Sequence, residues 1–155
     1  MKKQLTVLLL VLLSSGIALS QTKAKQPVKK AVSALEKLFT GSGLPYSMVN
    51  DSLAVIPYGG ENIASYKVLV QSISDLIIVF TDLTETLPGK IDSTKYKYLL
   101  QQNDHFDVVK IGINADDNSV NLRADLYKAG TNNALFKRVV EQVANVTNII
   151  GGDFK

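Results

Sequence analysis

Residues 63–83, IASYKVLVQSISDLIIVFTDL, decide the fold of this chain. Two apolar runs rich in β-branched residues flank the polar pair Ser74-Asp75, a pattern typical of a tight antiparallel hairpin. If the turn is symmetric about that pair, Val70 faces Val79 and Leu69 faces Phe80. We therefore place this hairpin at the centre of an antiparallel sheet.

Both faces of the hairpin are largely apolar, whereas a sheet with one face in water normally alternates apolar and polar residues. We assign the face with Tyr66, Val68 and Val70 to the core. The opposite face is predicted to be a partner or dimer surface, because an apolar face left in water usually binds something. It consists of Leu69, Ile73, Leu76, Ile78 and Phe80.

Two alternatives to an exposed interaction surface remain open. The second helix, with Tyr96, Leu99 and Leu100, would fold back over this face within the monomer. A one-residue asymmetry in the turn would instead exchange the two faces of one strand.

Periodicity elsewhere predicts three helices and two further hairpins. The first helix begins at Val28, the second is capped by Asp92 or Ser93, and Thr131 caps the third. The sequence thus predicts an α+β fold with a mostly antiparallel sheet in the order α-β-β-β-β-α-β-β-α, whose N- and C-terminal helices pack on one face. The predicted hairpins cover residues 44–58, with Met48 opposite Leu53, and 107–127, with Ile111 opposite Leu122; residues 84–90 are predicted to be a loop.

The first 20 residues have the zones of a cleavable secretory signal peptide. Lys2 and Lys3 precede an apolar run, and small residues lead to a cleavage site between Ser20 and Gln21. The apolar run is short for a bilayer span, so we expect no integral membrane span in the mature chain. The predicted organisation is a signal peptide at 1–20, a disordered lead-in at 21–27 and one α+β domain at 28–152, located in the periplasm of a Gram-negative bacterium or secreted.

Net charge gives little reason to expect nucleic acid as a partner. Six of the 17 Lys and Arg residues lie at positions 2, 3, 23, 25, 29 and 30, which leaves 11 basic against 14 acidic residues in the rest of the chain. The basic sequence pI is therefore a property of the N-terminal segment.

No constellation of residues indicates catalysis, a metal or a cofactor. His105 is the only histidine and the chain has no cysteine, so neither a nucleophilic triad nor a disulfide is predicted. Asp116 and Asp117 lie in a segment without the glycine and glutamate of a calcium loop. We predict that the protein is not an enzyme.

Ser52 and Ser93 each follow an aspartate and resemble acceptors of the O-glycans that some Gram-negative bacteria add to exported proteins. Asn50-Asp51-Ser52 and Asn145-Val146-Thr147 also match the N-glycan acceptor pattern. Turn and helix-cap chemistry explains these residues without a sugar.

The hairpin YKVLVQSISDLIIVFTDL, the hairpin KIGINADDNSVNLRADL and the closing helix together resemble the YbjN-domain family of bacterial sensory-transduction regulators, with a type III secretion chaperone-like fold. The resemblance covers residues 28–150 and implies a non-catalytic, often dimeric, protein-binding module. The predicted leader departs from that family, because it places this chain outside the cytoplasm.

The predicted function is that of an exported protein- or peptide-binding module, chaperone-like or regulatory and homodimeric. The alternative is a carrier of a small apolar ligand, with a pocket between the C-terminal helix and the sheet lined by Val68, Val79, Leu122 and Val143.

Overall fold

Six antiparallel strands form one sheet, and the helices lie against one of its faces. The computed structural model describes residues 32–155. The predicted leader, its cleavage site, the lead-in and the first residues of the predicted N-terminal helix lie outside the described residues. The elements are α1 (Ala34–Ser42), β1 (Ser47–Asn50), β2 (Leu53–Tyr58), β3 (Tyr66–Ile73), β4 (Leu76–Asp82), α2 (Leu83–Thr86), α3 (Ser93–Gln101), β5 (Lys110–Ile113), β6 (Val120–Tyr127) and α4 (Asn133–Gly152), with short 3-10 helices at Gln102–Asp104 and Lys128–Gly130.

The sheet order is β1-β2-β3-β4-β6-β5, so the hairpin of β3 and β4 is central, as predicted. Leu69 pairs with Phe80, Val70 with Val79, and the turn is Ser74-Asp75. Ser74 takes a left-handed φ of 48° there. Because the register is the predicted one, the alternative in which one strand exchanges its faces is wrong.

The core fills the space between one sheet face and the helices α1 and α4. Every second residue of β3 and β4 points into it, and Val68, Val70 and Val79 are fully buried. From the helices, Phe39 of α1 and Phe136 of α4 meet edge to face with ring centroids 5.0 Å apart. Such a two-layer arrangement is the α+β fold that the sequence predicts.

The long helix α4 differs at both ends from its prediction. Asn132 is the N-cap, since its side chain accepts from Leu135 N, whereas the Thr131 hydroxyl donates back to Tyr127 O. At the other end the helix continues through Gly151 and Gly152. Gly151 packs so closely against Ile63 that a side chain would not fit, so this glycine is needed for packing and does not mark the end of the helix.

Two further predictions are wrong in detail. Met48 pairs with Ala54 rather than Leu53, because the β1 register shifts between Met48 and Asn50. The predicted loop after β4 contains the short helix α2, which Asp82 caps by accepting from Thr84 N and Glu85 N.

Two asparagine side chains fasten loops to the fold. Asn148 of α4 accepts hydrogen bonds from Asn62 N and Ile63 N with its Oδ1 at 3.0 and 3.1 Å. Asn103 forms a reciprocal pair with Ile111, accepting from its N–H at 2.6 Å and donating to its carbonyl at 3.0 Å. Ile111 belongs to the edge strand β5, so Asn103 occupies the outer side of that strand.

Candidate interaction surface

The outer face, defined as the sheet face opposite α1 and α4, carries all five residues predicted to form the interaction surface. Strand alternation points Leu69 and Ile73 of β3 to this side, and the β4 residues paired beside them follow the same parity. The structure therefore brings Leu69, Ile73, Leu76, Ile78 and Phe80 together on one surface.

The outer face is apolar yet open to solvent. Ile73 is 44% exposed, whereas Leu69, Leu76, Ile78 and Phe80 are half-buried. Tyr127 of β6 pairs with Leu76 and is 70% exposed. The apolar strip continues onto β2, whose outward residues Leu53 and Val55 pair with Gln71 and Leu69.

A groove of about 880 Å³ runs across the part of the outer face formed by β3, β4, β6 and β5. Ile73, Ile78 and Phe80 line it on one side, and Val108 and Ile113 line it at the β5 edge. Val108 and Ile113 are each 46% exposed. The groove is therefore a shallow apolar surface with polar residues of β6 between its two apolar sides.

Those polar residues carry opposite charges. The Arg123 guanidinium donates to the Asp125 carboxylate through Nε and an Nη, at 2.6 and 2.9 Å. This hydrogen-bonded carboxylate raises the pKa of Arg123. Nearby, the Lys110 ammonium donates to the Asn103 and Phe106 carbonyls at 2.9 and 2.5 Å.

The second helix does not cover the outer face, so that alternative is wrong. Leu99 of α3 is fully buried in the core, on the side of the sheet that α4 occupies. The Tyr98 hydroxyl donates to the Asp153 carboxylate at 2.5 Å, and Lys95 Nζ lies 5.1 Å from the Phe154 ring centroid. These contacts hold α3 against the end of α4.

Core side chains fill the position where a small-ligand carrier would have its pocket. Val68, Val79, Leu122 and Val143 are each 0% exposed and belong to the continuous core. The groove described above is on the opposite face of the sheet.

Residues considered for chemistry are separate from the outer face. His105 is exposed at the end of the 3-10 helix that follows α3. In the region 32–155 no group of three or more His, Cys, Asp or Glu residues is placed to hold a metal ion. Asp117 caps the β5–β6 turn by accepting from Ser119 N, which lowers the pKa of its carboxyl.

The candidate glycan acceptors Asn50, Ser52, Ser93 and Asn145 are all exposed. Ser52 is exposed in the β1–β2 turn, where its hydroxyl donates to Asn50 Oδ1 at 2.9 Å, and Ser93 is exposed as the first residue of α3. In the Asn145-Val146-Thr147 pattern, which lies within α4, Thr147 is fully buried and donates to Val143 O.

Sequence reasoning missed the structural roles of Asn103 and Asn148. Asn103 lies in the polar segment that ends the second predicted helix, and Asn148 lies on the narrow polar strip of the last helix, so both were expected to be solvent-exposed. Their partners are distant or non-helical backbone groups, so local sequence holds no direct signal for them.

Neither a protein-family model nor a curated protein sequence matches the chain. Solved structures do match it. A chain of the heterodimeric complex ExoU–SpcU from the type III secretion system of Pseudomonas aeruginosa is 14% identical with a TM-score of 0.53, over 77% of this chain and 96% of that chain. YbjN from E. coli is 12% identical with a TM-score of 0.50, over 77% of this chain and 87% of that chain.

The fold is that of YbjN and the type III secretion chaperones. The Yersinia pestis type III secretion chaperone SycH, solved with a stable fragment of YscM2, is also similar, at 17% identity and a TM-score of 0.47, over 75% of this chain and 95% of that chain. The matches to the ExoU–SpcU chain and to YbjN confirm, at the level of the fold, the resemblance stated from the sequence. Between residues 32 and 155, no helix has the length and apolar character needed to cross a bilayer.

Proposed function

We propose that this protein is an exported, non-enzymatic and homodimeric module that binds a protein or peptide through the outer face of its sheet. The observation that carries the proposal is the outer face itself, which remains apolar and open although α3 was available to cover it. An exposed apolar strip continuous over several strands is costly in water and marks a surface that associates.

The chaperone-like fold supports protein binding as the kind of function. SpcU was solved in a heterodimeric complex with ExoU, and the fold of this chain is similar to that of such a protein-binding domain. Export rests on the zones of the leader, and the absence of catalysis rests on an isolated His105.

The free energy of association through the outer face can be estimated from the apolar surface that it would bury. Burying the part of one of its large apolar side chains that is still exposed contributes about 0.5–1 kcal/mol, so the five residues together contribute about 3–5 kcal/mol. Association itself costs at least about 4 kcal/mol in lost freedom of motion. Tyr127, which is 70% exposed, and the two β2 residues are therefore needed for a lasting complex.

Replacement of Phe80 by Asp tests the proposal. Phe80 is half-buried on the outer face, so Phe80→Asp should leave the fold intact while weakening association by about 2 kcal/mol, or roughly 30-fold. Ile149→Asp is the matched control, because Ile149 is 53% exposed on α4. Sedimentation and thermal melting report assembly and fold, and native pull-down from the exported fraction with mass spectrometry reports partners.

A folded Phe80→Asp protein with unchanged assembly and unchanged partner recovery would contradict the proposal. An unfolded Phe80→Asp protein would show that Phe80 is part of the monomer core.

A further inference from the structure

A cavity separate from the groove of the outer face lies between α3 and the residues that follow α4. It has a volume of about 420 Å³ and is lined by Thr94, Lys95, Tyr98, Asp153 and Phe154. That volume is within the range of roughly 300–1,000 Å³ that small-molecule sites occupy. The five lining residues differ from those that line the groove, so the two sites are independent.

Two aromatic rings form walls of this cavity. The Tyr98 and Phe154 rings are inclined at 61° with their centroids 6.1 Å apart, and both side chains are half-buried. An aromatic ring is negative over its face, so a cation is attracted to a wall made of such rings. The walls therefore favour a ligand that carries positive charge.

A carboxylate adds a full negative charge at the mouth of the cavity. The Tyr98 hydroxyl donates to Asp153 at 2.5 Å, and this hydrogen bond is the main cause that raises the pKa of Tyr98 to about 12. The phenol therefore keeps its proton at neutral pH, and the pair carries the single charge of Asp153. Because Asp153 is exposed, that charge lies where a ligand would enter.

The protein already places a cation of its own in the cavity. Lys95 is half-buried on α3, and its Nζ lies 5.1 Å from the Phe154 ring centroid, within the roughly 6 Å of a cation–π contact. The face of the Phe154 ring is thus open to a positive group. A lysine ammonium nevertheless has three N–H donors, and a ring face gives them no ordinary acceptor.

We propose that this cavity binds a small quaternary ammonium compound through a trimethylammonium head of the choline type. The head would lie against the Phe154 ring in place of the Lys95 ammonium, whose flexible stem lets it move into water. A trimethylammonium group has no N–H to satisfy, so it loses less than lysine does on contact with the rings. The inference goes beyond the proposed function, because it concerns a different site and a different class of ligand.

Titration with choline chloride, at an ionic strength held constant with NaCl, tests the proposal. The ring-proton NMR signals of Tyr98 and Phe154 should shift saturably, with a Kd on the order of 1 mM. The neutral analogue in which carbon replaces the nitrogen of choline has the same shape without the charge. It should bind at least about tenfold more weakly, because a neutral group gains no cation–π attraction.

Two substitutions should change choline binding in opposite directions. Lys95→Met removes the competing cation and keeps an apolar stem, so it should tighten binding at least about threefold. Phe154→Leu removes the ring face and should weaken binding about fivefold or more. Lys97→Met is the matched control, because Lys97 is an exposed lysine of the same helix, and it should bind choline as the wild-type protein does. Thermal melting of each variant reports whether the fold is intact, and Lys95→Met remains a test if Phe154→Leu does not fold.

A trimethylammonium head can belong to a free molecule or to a lipid. Sedimentation with vesicles of pure phosphatidylcholine distinguishes the two sources. Saturable binding of choline without retention on vesicles supports a soluble ligand. Retention on vesicles that Phe154→Leu abolishes supports a lipid headgroup.

The proposal is overturned if neither choline, at tenfold the expected Kd, nor the vesicles bind. Equal binding of choline and its neutral analogue would also overturn it, since the cavity would then select apolar shape alone. So would folded Lys95→Met protein that binds choline no more tightly than the wild-type protein. Phe80→Asp tests the outer face separately, so either proposal can fail while the other stands.

Discussion

Removal of the Tyr58 hydroxyl should stabilise the protein, although the side chain lies against the core. Tyr58 and Tyr66 stack with ring centroids 5.9 Å apart. The Tyr66 hydroxyl donates to Ala144 O at 2.8 Å. The Tyr58 hydroxyl is buried and has no hydrogen-bond partner within residues 32–155. On folding, each of these two hydroxyls loses its hydrogen bonds to water. Tyr66 replaces them with a bond to Ala144 O, whereas Tyr58 does not.

The two Tyr→Phe variants should therefore shift stability in opposite directions. An unsatisfied buried polar group costs about 1–3 kcal/mol, and a satisfied hydrogen bond contributes about 1 kcal/mol. We expect Tyr58→Phe to raise the free energy of unfolding by about 1 kcal/mol and Tyr66→Phe to lower it by a similar amount. For a domain of this size each kcal/mol corresponds to a change of about 4 °C in Tm.

Urea and thermal unfolding at neutral pH measure both variants against the wild-type protein. The reasoning is refuted if Tyr58→Phe destabilises the protein as much as Tyr66→Phe does, because the Tyr58 hydroxyl would then be making a hydrogen bond of ordinary strength.

The dependence of stability on alkaline pH provides a second test of Tyr58→Phe. Burial, with smaller contributions from Glu141 and Tyr66, raises the pKa of Tyr58 to about 12. In the unfolded chain a tyrosine ionises near pH 10, so the unfolded state loses its proton first and stability falls as pH rises from about 10 to about 12. Tyr58→Phe removes this contribution, so between pH 9 and pH 11 its urea midpoint should fall less than that of the wild-type protein.

Asn148→Ala should lower the free energy of unfolding by about 1–3 kcal/mol in urea titrations, because Asn62 N and Ile63 N lose their acceptor, whereas the exposed Asn145→Ala should change it little. His105→Ala should leave stability and every measurable phenotype near wild type, and loss of function in a folded variant would reopen the possibility of an enzyme. The intact mass of the exported protein should match a chain beginning at Gln21, and recovery of full-length protein in the membrane fraction would contradict cleavage there.

The hairpins with short, polar turns were predictable to the residue. Ser74-Asp75 fixed the pairing of β3 with β4, and Ile111 pairs with Leu122 as the β5–β6 turn required. In both, a wrong register would have placed a whole row of apolar residues in water.

Elements whose pairing depends on a bulge or on competing caps were not predictable. Val49, 60% exposed, lies at the register shift of β1, and an extra residue in a strand leaves no mark in an apolar pattern. Thr131 and Asn132 are both good N-cap residues, and the structure decides between them through the bond from Thr131 to Tyr127 O.

The candidate surface was predictable in part. Strand parity alone assigned Leu69 and Phe80 to one face. Whether α3 would cover that face depended on Leu99 entering the core, which is a tertiary contact beyond the reach of helical periodicity. The position of Arg123 beside Phe80 likewise required knowledge that β6, rather than β5, pairs with β4.

The side-chain amide of Asn103 takes the place of a neighbouring strand at the β5 edge. It accepts a hydrogen bond from the Ile111 N–H and donates one to the Ile111 carbonyl, as the backbone of another strand would. A strand from another molecule could join β5 only by first displacing that side chain. Unprotected edges are where sheets grow into fibres, and here the amide of Asn103 occupies the outward backbone groups of Ile111 at one of the two edges of the sheet. Addition of a strand from another chain at the β5 edge is therefore less favourable.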